Sequence, residues 1–96
     1  METFEEKRKQ YQKQIDNNPA QFEPRYAMGK LYYEQASREG SPESSAKQLL
    51  QQSAEHLEKA DQIKPGNRDN LTMLREIYTI TNHSDKAKGI NERLNA

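Results

Sequence analysis

Few residues in this chain offer chemistry. His56 and His83 are the only imidazoles among 96 residues. A metal site needs three or four converging ligands, and no carboxylate or second histidine is spaced to join either one. Both histidines are therefore expected to face solvent. His83-Ser84-Asp85 contains the letters of a serine triad, but consecutive residues cannot adopt its geometry, so Asn82 and Ser84 read as helix caps in a turn. The chain has no cysteine, which removes thiolate nucleophiles, thiolate zinc sites and disulfide frameworks. Four scattered glycines form no phosphate-cradling loop. Asn70-Leu71-Thr72 and Asn82-His83-Ser84 match the glycosylation sequon, a pattern frequent by chance. No catalytic constellation emerges. The expectation is a protein that is not an enzyme and uses no metal and no cofactor.

Binding chemistry is better represented. Tyr26, Lys30 and Tyr33 are spaced by four and three, which puts two aromatic rings and a cation on one helical face. Such a face suits an extended peptide, with ring area for affinity and Lys30 for a carboxylate. The competing reading packs these tyrosines on the last helix.

The elements that would position these residues must be built from little apolar material. Only 31% of residues are apolar and another 31% are charged, and the mean hydropathy is −1.29. What separates the chain from a disordered one is the periodic placement of its apolar residues. Fifteen basic and fifteen acidic residues cancel, leaving no electrostatic footprint for nucleic acid or anionic lipid. No run of 18 apolar residues exists, so no membrane insertion is expected. Met1 to Gln10 lacks the apolar stretch of a signal peptide. The "EEKRKQ" run reads as a solvated helix face with Glu–Lys pairing. Freedom from cysteine is compatible with the cytosol and with a bacterial periplasm alike.

Five helices in one all-α domain account for the pattern. Thr3 caps the first, at about 3–17, with Glu6 three residues on, and Asn17-Asn18-Pro19 ends it. Phe22-Glu23-Pro24 opens a second at about 23–38, with Pro tolerated in the first turn. Gly40-Ser41-Pro42 is a break. The third runs at about 42–64 on a stripe of Ala46, Leu49, Leu50, Ser53, Leu57, Ala60 and Ile63. Pro65-Gly66-Asn67 stops it, and Asn67 caps a fourth at about 68–81. A fifth at about 84–94 carries Ala87, Ile90 and Leu94. Nothing alternates with a period of two, so no strand is expected.

An internal repeat links these elements. Pro19 precedes Tyr32 by thirteen residues and Pro65 precedes Tyr78 by thirteen. In that register Met28 falls on Leu74, Leu31 on Ile77, and Gly29 on Arg75, with the copies 46 residues apart. Met28-Gly29-Lys30-Leu31-Tyr32, the small Ala60 and Ala87, and the terminating Pro65 resemble the tetratricopeptide repeat, a helix–turn–helix unit of 34 residues. The nearest likeness is to the C-terminal repeats of bacterial multi-repeat proteins of that family. Arg75 replaces the family's Gly in the second copy, and Arg25 stands where a large apolar residue is usual in the first.

The resemblance implies a solenoid of antiparallel hairpins that acts as a non-catalytic scaffold, binding a protein or peptide on its concave face. On the family's pattern that face carries Tyr26, Lys30 and Tyr33 in the second helix, and Thr72, Glu76 and Thr79 in the fourth. The family's clamp for chaperone tails uses a Lys/Asn pair there, and Tyr26 and Lys30 stand in the corresponding places, a departure from it. Close helix approach needs small residues, and Gly29 and Ala60 are expected to supply them. A 46-residue spacing against 34 leaves 12 extra residues. Shared equally between the second and third helices, they lengthen each by roughly 9 Å and project the hairpin, with Leu49 and Leu50 zipped against Tyr33 and Ala36. The first helix lacks its own first-helix partner. Its Phe4, Tyr11 and Ile15 stripe is expected to be partly covered, which implies an upstream repeat in a longer chain or a homo-oligomer formed through that stripe. The alternative function is a self-associating structural helical protein with no peptide groove.

Overall fold

The computed structural model describes residues 2–38 and 43–96. They form five helices: α1 (Phe4–Asn17), α2 (Phe22–Arg38), α3 (Glu43–Ile63), α4 (Arg68–Ile80) and α5 (Ser84–Leu94). No strand occurs among the described residues. The Gly40-Ser41-Pro42 break lies outside them.

Local chemistry sets the ends. The Thr3 hydroxyl accepts from the Glu6 amide at 3.2 Å, satisfying one orphan N–H of α1. Asn18 stops α1, and its side chain accepts the Ala20 amide at 3.2 Å. Gly66 turns the chain after α3 at φ 84, a conformation costly for any residue with a Cβ. Asn67 then caps α4 by accepting the Asn70 amide at 3.0 Å. At the far end of α4, Asn82 takes the left-handed conformation (φ 62). The His83 amide reaches back to the Tyr78 carbonyl at 2.7 Å and the Asn82 amide to that of Thr79 at 3.3 Å, the paired bonds of a Schellman ending. This corrects the expected role of Ser84. It is the first residue of α5, whose N-cap is His83 without a side-chain bond.

The helices fold back on one another in sequence order. Ascending α2, Phe22 meets Lys64 and Gly29 meets Leu57 and Ser53, so α2 and α3 run antiparallel. Likewise Arg68 pairs with Leu94, Arg75 with Asn91 and Tyr78 with Lys86, so α4 and α5 do too. Ties between alternate helices define two layers. The Tyr33–Glu76 bond joins α2 to α4, the Asp61–Arg93 pair joins α3 to α5, and Tyr32 touches both Phe4 of α1 and His56 of α3. The 37 × 34 × 18 Å envelope is two helices thick.

The larger core runs through α2 to α5 and contains Leu50, Ala54, Leu57, Leu71, Leu74, Ile77, Tyr78, Ile90 and Leu94. A smaller one holds Ile15, Met28 and Leu31, flanked by Phe4, Tyr11 and Tyr32. Two buried polar bonds stitch the layers. Ser53 donates its hydroxyl to the Gly29 carbonyl at 2.6 Å, and the Asn70 amide group donates to the Leu57 carbonyl at 2.9 Å. Asn70 is fully buried, so its sequon is sealed inside the fold.

A Cβ on Gly29 would lie 2.5 Å from Leu57 Cδ2 and 3.2 Å from the Ser53 carbonyl oxygen; Leu57 and Ser53 are therefore what the glycine admits at the crossing. One expectation is corrected: the extra length is unequally shared. α2 (17 residues) outruns α4 (13) by four, whereas α3 begins 14 residues before Leu57, the partner of Gly29, and α5 only seven before Asn91, the partner of Arg75. The lengthened part of α3 is packed as expected: Ala46 and Leu49 lie with Tyr33 against the cluster that contains Ala36 and Leu50.

Candidate functional site

The α2–α4 surface carries the residues selected from the sequence, and the fold brings the two helices together there. Tyr33 is half-buried against the larger core, and its hydroxyl donates to the exposed Glu76 carboxylate at 2.7 Å. That bond, then burial, raises the Tyr33 pKa above the ordinary phenol value, because ionising the ring would place a second negative charge beside Glu76. The tyrosine thus reaches α4, not α5.

Tyr26 is also half-buried against the larger core, and its ring stacks on Phe22 with centroids 5.6 Å apart and planes inclined by 10°. Lys64 stands over the other end of this pair, 5.7 Å from the Phe22 centroid. Lys30, between the two tyrosines in the chain, is exposed. The threonines are turned to their own helix: Thr72 donates to the Arg68 carbonyl at 2.7 Å and Thr79 to that of Arg75 at 2.8 Å. Four of the six selected residues therefore present ring or charge, while two spend their hydroxyl protons locally and retain acceptor capacity.

The α1 stripe is turned inward. Ile15 is only 3% exposed, and Phe4 and Tyr11 are half-buried against the smaller core. The single large apolar side chain classed as exposed among the described residues is Ile80, at 58%, on α4. It borders a notch of about 120 Å³ with Ala46, Lys47 and Leu50.

On the opposite layer a furrow separates α3 from α5. Tyr78 lies beneath it, 5% exposed, with its hydroxyl unpartnered and Lys86 Nζ 5.4 Å from its ring centroid. Hollows of about 190 and 350 Å³ share Glu58, Tyr78 and Lys86 as lining. Further along, Arg93 grips Asp61 through two bonds of 2.9 and 3.0 Å. Burial opposes ionisation of Asp61, but the Arg93 bonds and the Gly66 amide outweigh it and hold the carboxyl below its ordinary range. Arg68 donates to the Leu94 carbonyl at 3.0 Å, and Arg75 to Asn91 at 2.8 Å. Three arginines thus fasten α5.

The histidines correct one further expectation. His83 is exposed, and its Nδ1 shares a 2.8 Å bond with the Thr81 hydroxyl. His56 does not face solvent: it is half-buried, stacked on Tyr32 at 5.7 Å and 7°, with Nδ1 sequestered and unpartnered. Burial, then the charge of Arg25, lowers its pKa below the ordinary imidazole value. The sequence held a signal for this, since His56 directly precedes Leu57 on the stripe side of α3, but a polar residue beside a stripe does not reveal how far it turns in. Among the described residues no group of three or more His, Asp or Glu side chains is placed to hold a metal ion, and no helix is long and apolar enough to cross a membrane. No protein-family model, curated protein or solved structure matches this chain.

Proposed function

We propose that the chain is a tetratricopeptide-like interaction module with no catalytic role, which binds a protein partner, as an extended peptide or a helix, along the α2–α4 surface. The observation that carries this reading is the Tyr33–Glu76 bond. It joins equivalent helices of successive hairpins and fixes a carboxylate and an aromatic edge on the surface that also carries the exposed Lys30. Groups held before the partner arrives lose little side-chain entropy on binding, and half-buried tyrosines supply contact area at low cost.

Selection from a random peptide library displayed on phage tests it. Enriched peptides should lose at least about tenfold in affinity for Tyr26→Ala/Tyr33→Ala, with the helical circular dichroism of the variant unchanged. Failure to enrich any sequence, or equal binding to the variant, overturns it.

A second reading, self-association, is favoured by Ile80, whose exposed side chain adjoins the Ala46–Leu50 notch. Light scattering after size exclusion decides it. An oligomer dissolved by Ile80→Asp supports assembly through this spot. A monomer at all concentrations removes it.

A further inference from the structure

Arg25 occupies the slot that the second copy, 46 residues on, fills with Leu71. Leu71 is 2% exposed and part of the larger core, so the slot faces inward. Arg25 is half-buried there, and the part of its guanidinium that leaves water needs acceptors, because a shielded charged donor left unpaired is costly. Among the described residues Arg25 has no hydrogen bond or ion pair, and its Nε is shielded from solvent without an acceptor. His56 Nδ1 is in the same condition. The two residues line one cavity of about 260 Å³ between α2 and α3, which Glu55, Glu58, Lys59 and Gln62 complete.

We infer that the Arg25–His56 cavity binds a small, singly charged oxyanion, a carboxylate foremost. It lies on the side of α2 that bears Tyr32, away from the Tyr26–Lys30–Tyr33 surface, and does not depend on the function proposed for that surface. The Arg25 fork supplies paired N–H donors matched to two oxygens of one group. His56 lines the same wall, stacked on the Tyr32 ring with its Nδ1 covered, so it senses the charge of the guest rather than donating to it. Lys59 adds charge from the next turn of α3.

Glu55 and Glu58 on the same wall limit the charge of the guest. Arg25 and Lys59 only balance them, so the wall carries no surplus positive charge to favour a dianion over a monoanion. The other charged group near the Tyr32 ring is Arg8 of α1, already paired with Glu5 at 3.0 Å. An anion seated on Arg25 would cancel one of the two causes that depress the His56 pKa, which makes the imidazole a reporter of occupancy.

The test is an NMR titration of the His56 ring in the whole chain with sodium acetate and with inorganic phosphate, against sodium chloride at matched ionic strength. A tripeptide with a free C-terminus and the same tripeptide amidated form the second arm. The expected result is a saturable shift of the His56 resonances and a raised His56 pKa with acetate. Phosphate, mostly dianionic at pH 7.5, should bind more weakly, and His83 should not respond. In Arg25→Leu, which copies the second slot, the affinity should fall by at least about tenfold; Arg25→Gln serves if the leucine variant does not fold. Tighter binding of the free-acid peptide than of acetate assigns the oxyanion to a polypeptide, and equal binding assigns it to a solute. A wild-type response no different from chloride, or one unchanged in the Arg25 variant, overturns the inference.

Discussion

The two hairpins solve the same crossing by opposite means. In the first, Gly29 lets α3 approach until Leu57 and the Ser53 carbonyl fill the space a Cβ would need. In the second, the place of Gly29 is taken by Arg75, and its partner is Asn91 at 2.8 Å. Asn91 thus stands to Arg75 as Leu57 stands to Gly29. An apolar contact inside has become a polar contact at the edge. The difference teaches that the first hairpin is a packed unit and the second a clamped one, its α5 secured by Arg68, Arg75 and Arg93 around a short apolar stripe. Packing is insensitive to salt, whereas exposed charge pairs are screened.

Truncating Leu57 should break the contrast most severely. Leu57→Ala should cost about 2–5 kcal/mol in urea denaturation, since the residue is completely buried and the void cannot fully collapse. Asn91→Ala, at the matching place, should cost under about 1 kcal/mol. Equal losses would mean that the two crossings are not different in kind. Next comes Gly29→Ala. Helix propensity favours alanine by up to about 1 kcal/mol, but Leu57 Cγ would sit 2.6 Å from the new Cβ, and overpacking costs about 1–3 kcal/mol. The net result should be a lower Tm, with Arg75→Ala almost neutral beside it.

Much of this contrast could be read from the chain before any coordinates. The 46-residue register put Gly29 against Arg75 and anticipated that the copies would differ there, and Thr3, Asn67 and the Pro-Gly-Asn stop marked helix ends that the structure reproduces within a residue or two. The resemblance placed Tyr33 and Glu76 on one surface, but the bond between them was not anticipated. Three features were not legible. Ser53 looked like a weak member of an apolar stripe, because a hydroxyl that satisfies a carbonyl across a helix crossing has no signature in its own sequence. The clamp on α5 depends on arginines that reach across helices, and sequence spacing within one helix says nothing of such reach. The half-burial of His56 runs against the rule that polar residues face water, so its polarity pointed the wrong way.

Smaller effects sharpen the comparison through charge. Arg93→Ala should destabilise the fold by about 0.5–1 kcal/mol, the upper part of the range for surface pairs, since Asp61 is partly covered, and by less in about 0.5 M salt. Asp61 titrates below its ordinary value when folded, so its contribution should be complete above about pH 3.9 and vanish as pH falls through the lowered pKa. Arg93→Ala should remove that acid-side slope.

His56 supplies the counterpart on the first hairpin. Its pKa is also depressed on folding, so the unfolded chain binds the proton more readily. Stability should be full above about pH 6.5 and decline as pH drops toward the folded pKa, and His56→Gln should flatten that window. A decline that survives the substitution would place the titrating group elsewhere.

Native-state hydrogen exchange of the whole chain, at low and high salt, bears on the contrast most directly. Amides of Met28–Tyr32 and Ser53–Leu57 should exchange only through global unfolding at either salt. Those of Ala87–Leu94 should open at lower free energy, and the gap should widen as salt weakens the Arg93–Asp61 pair. If α5 is as protected as the Gly29 crossing and indifferent to salt, the division into a packed hairpin and a clamped one is wrong.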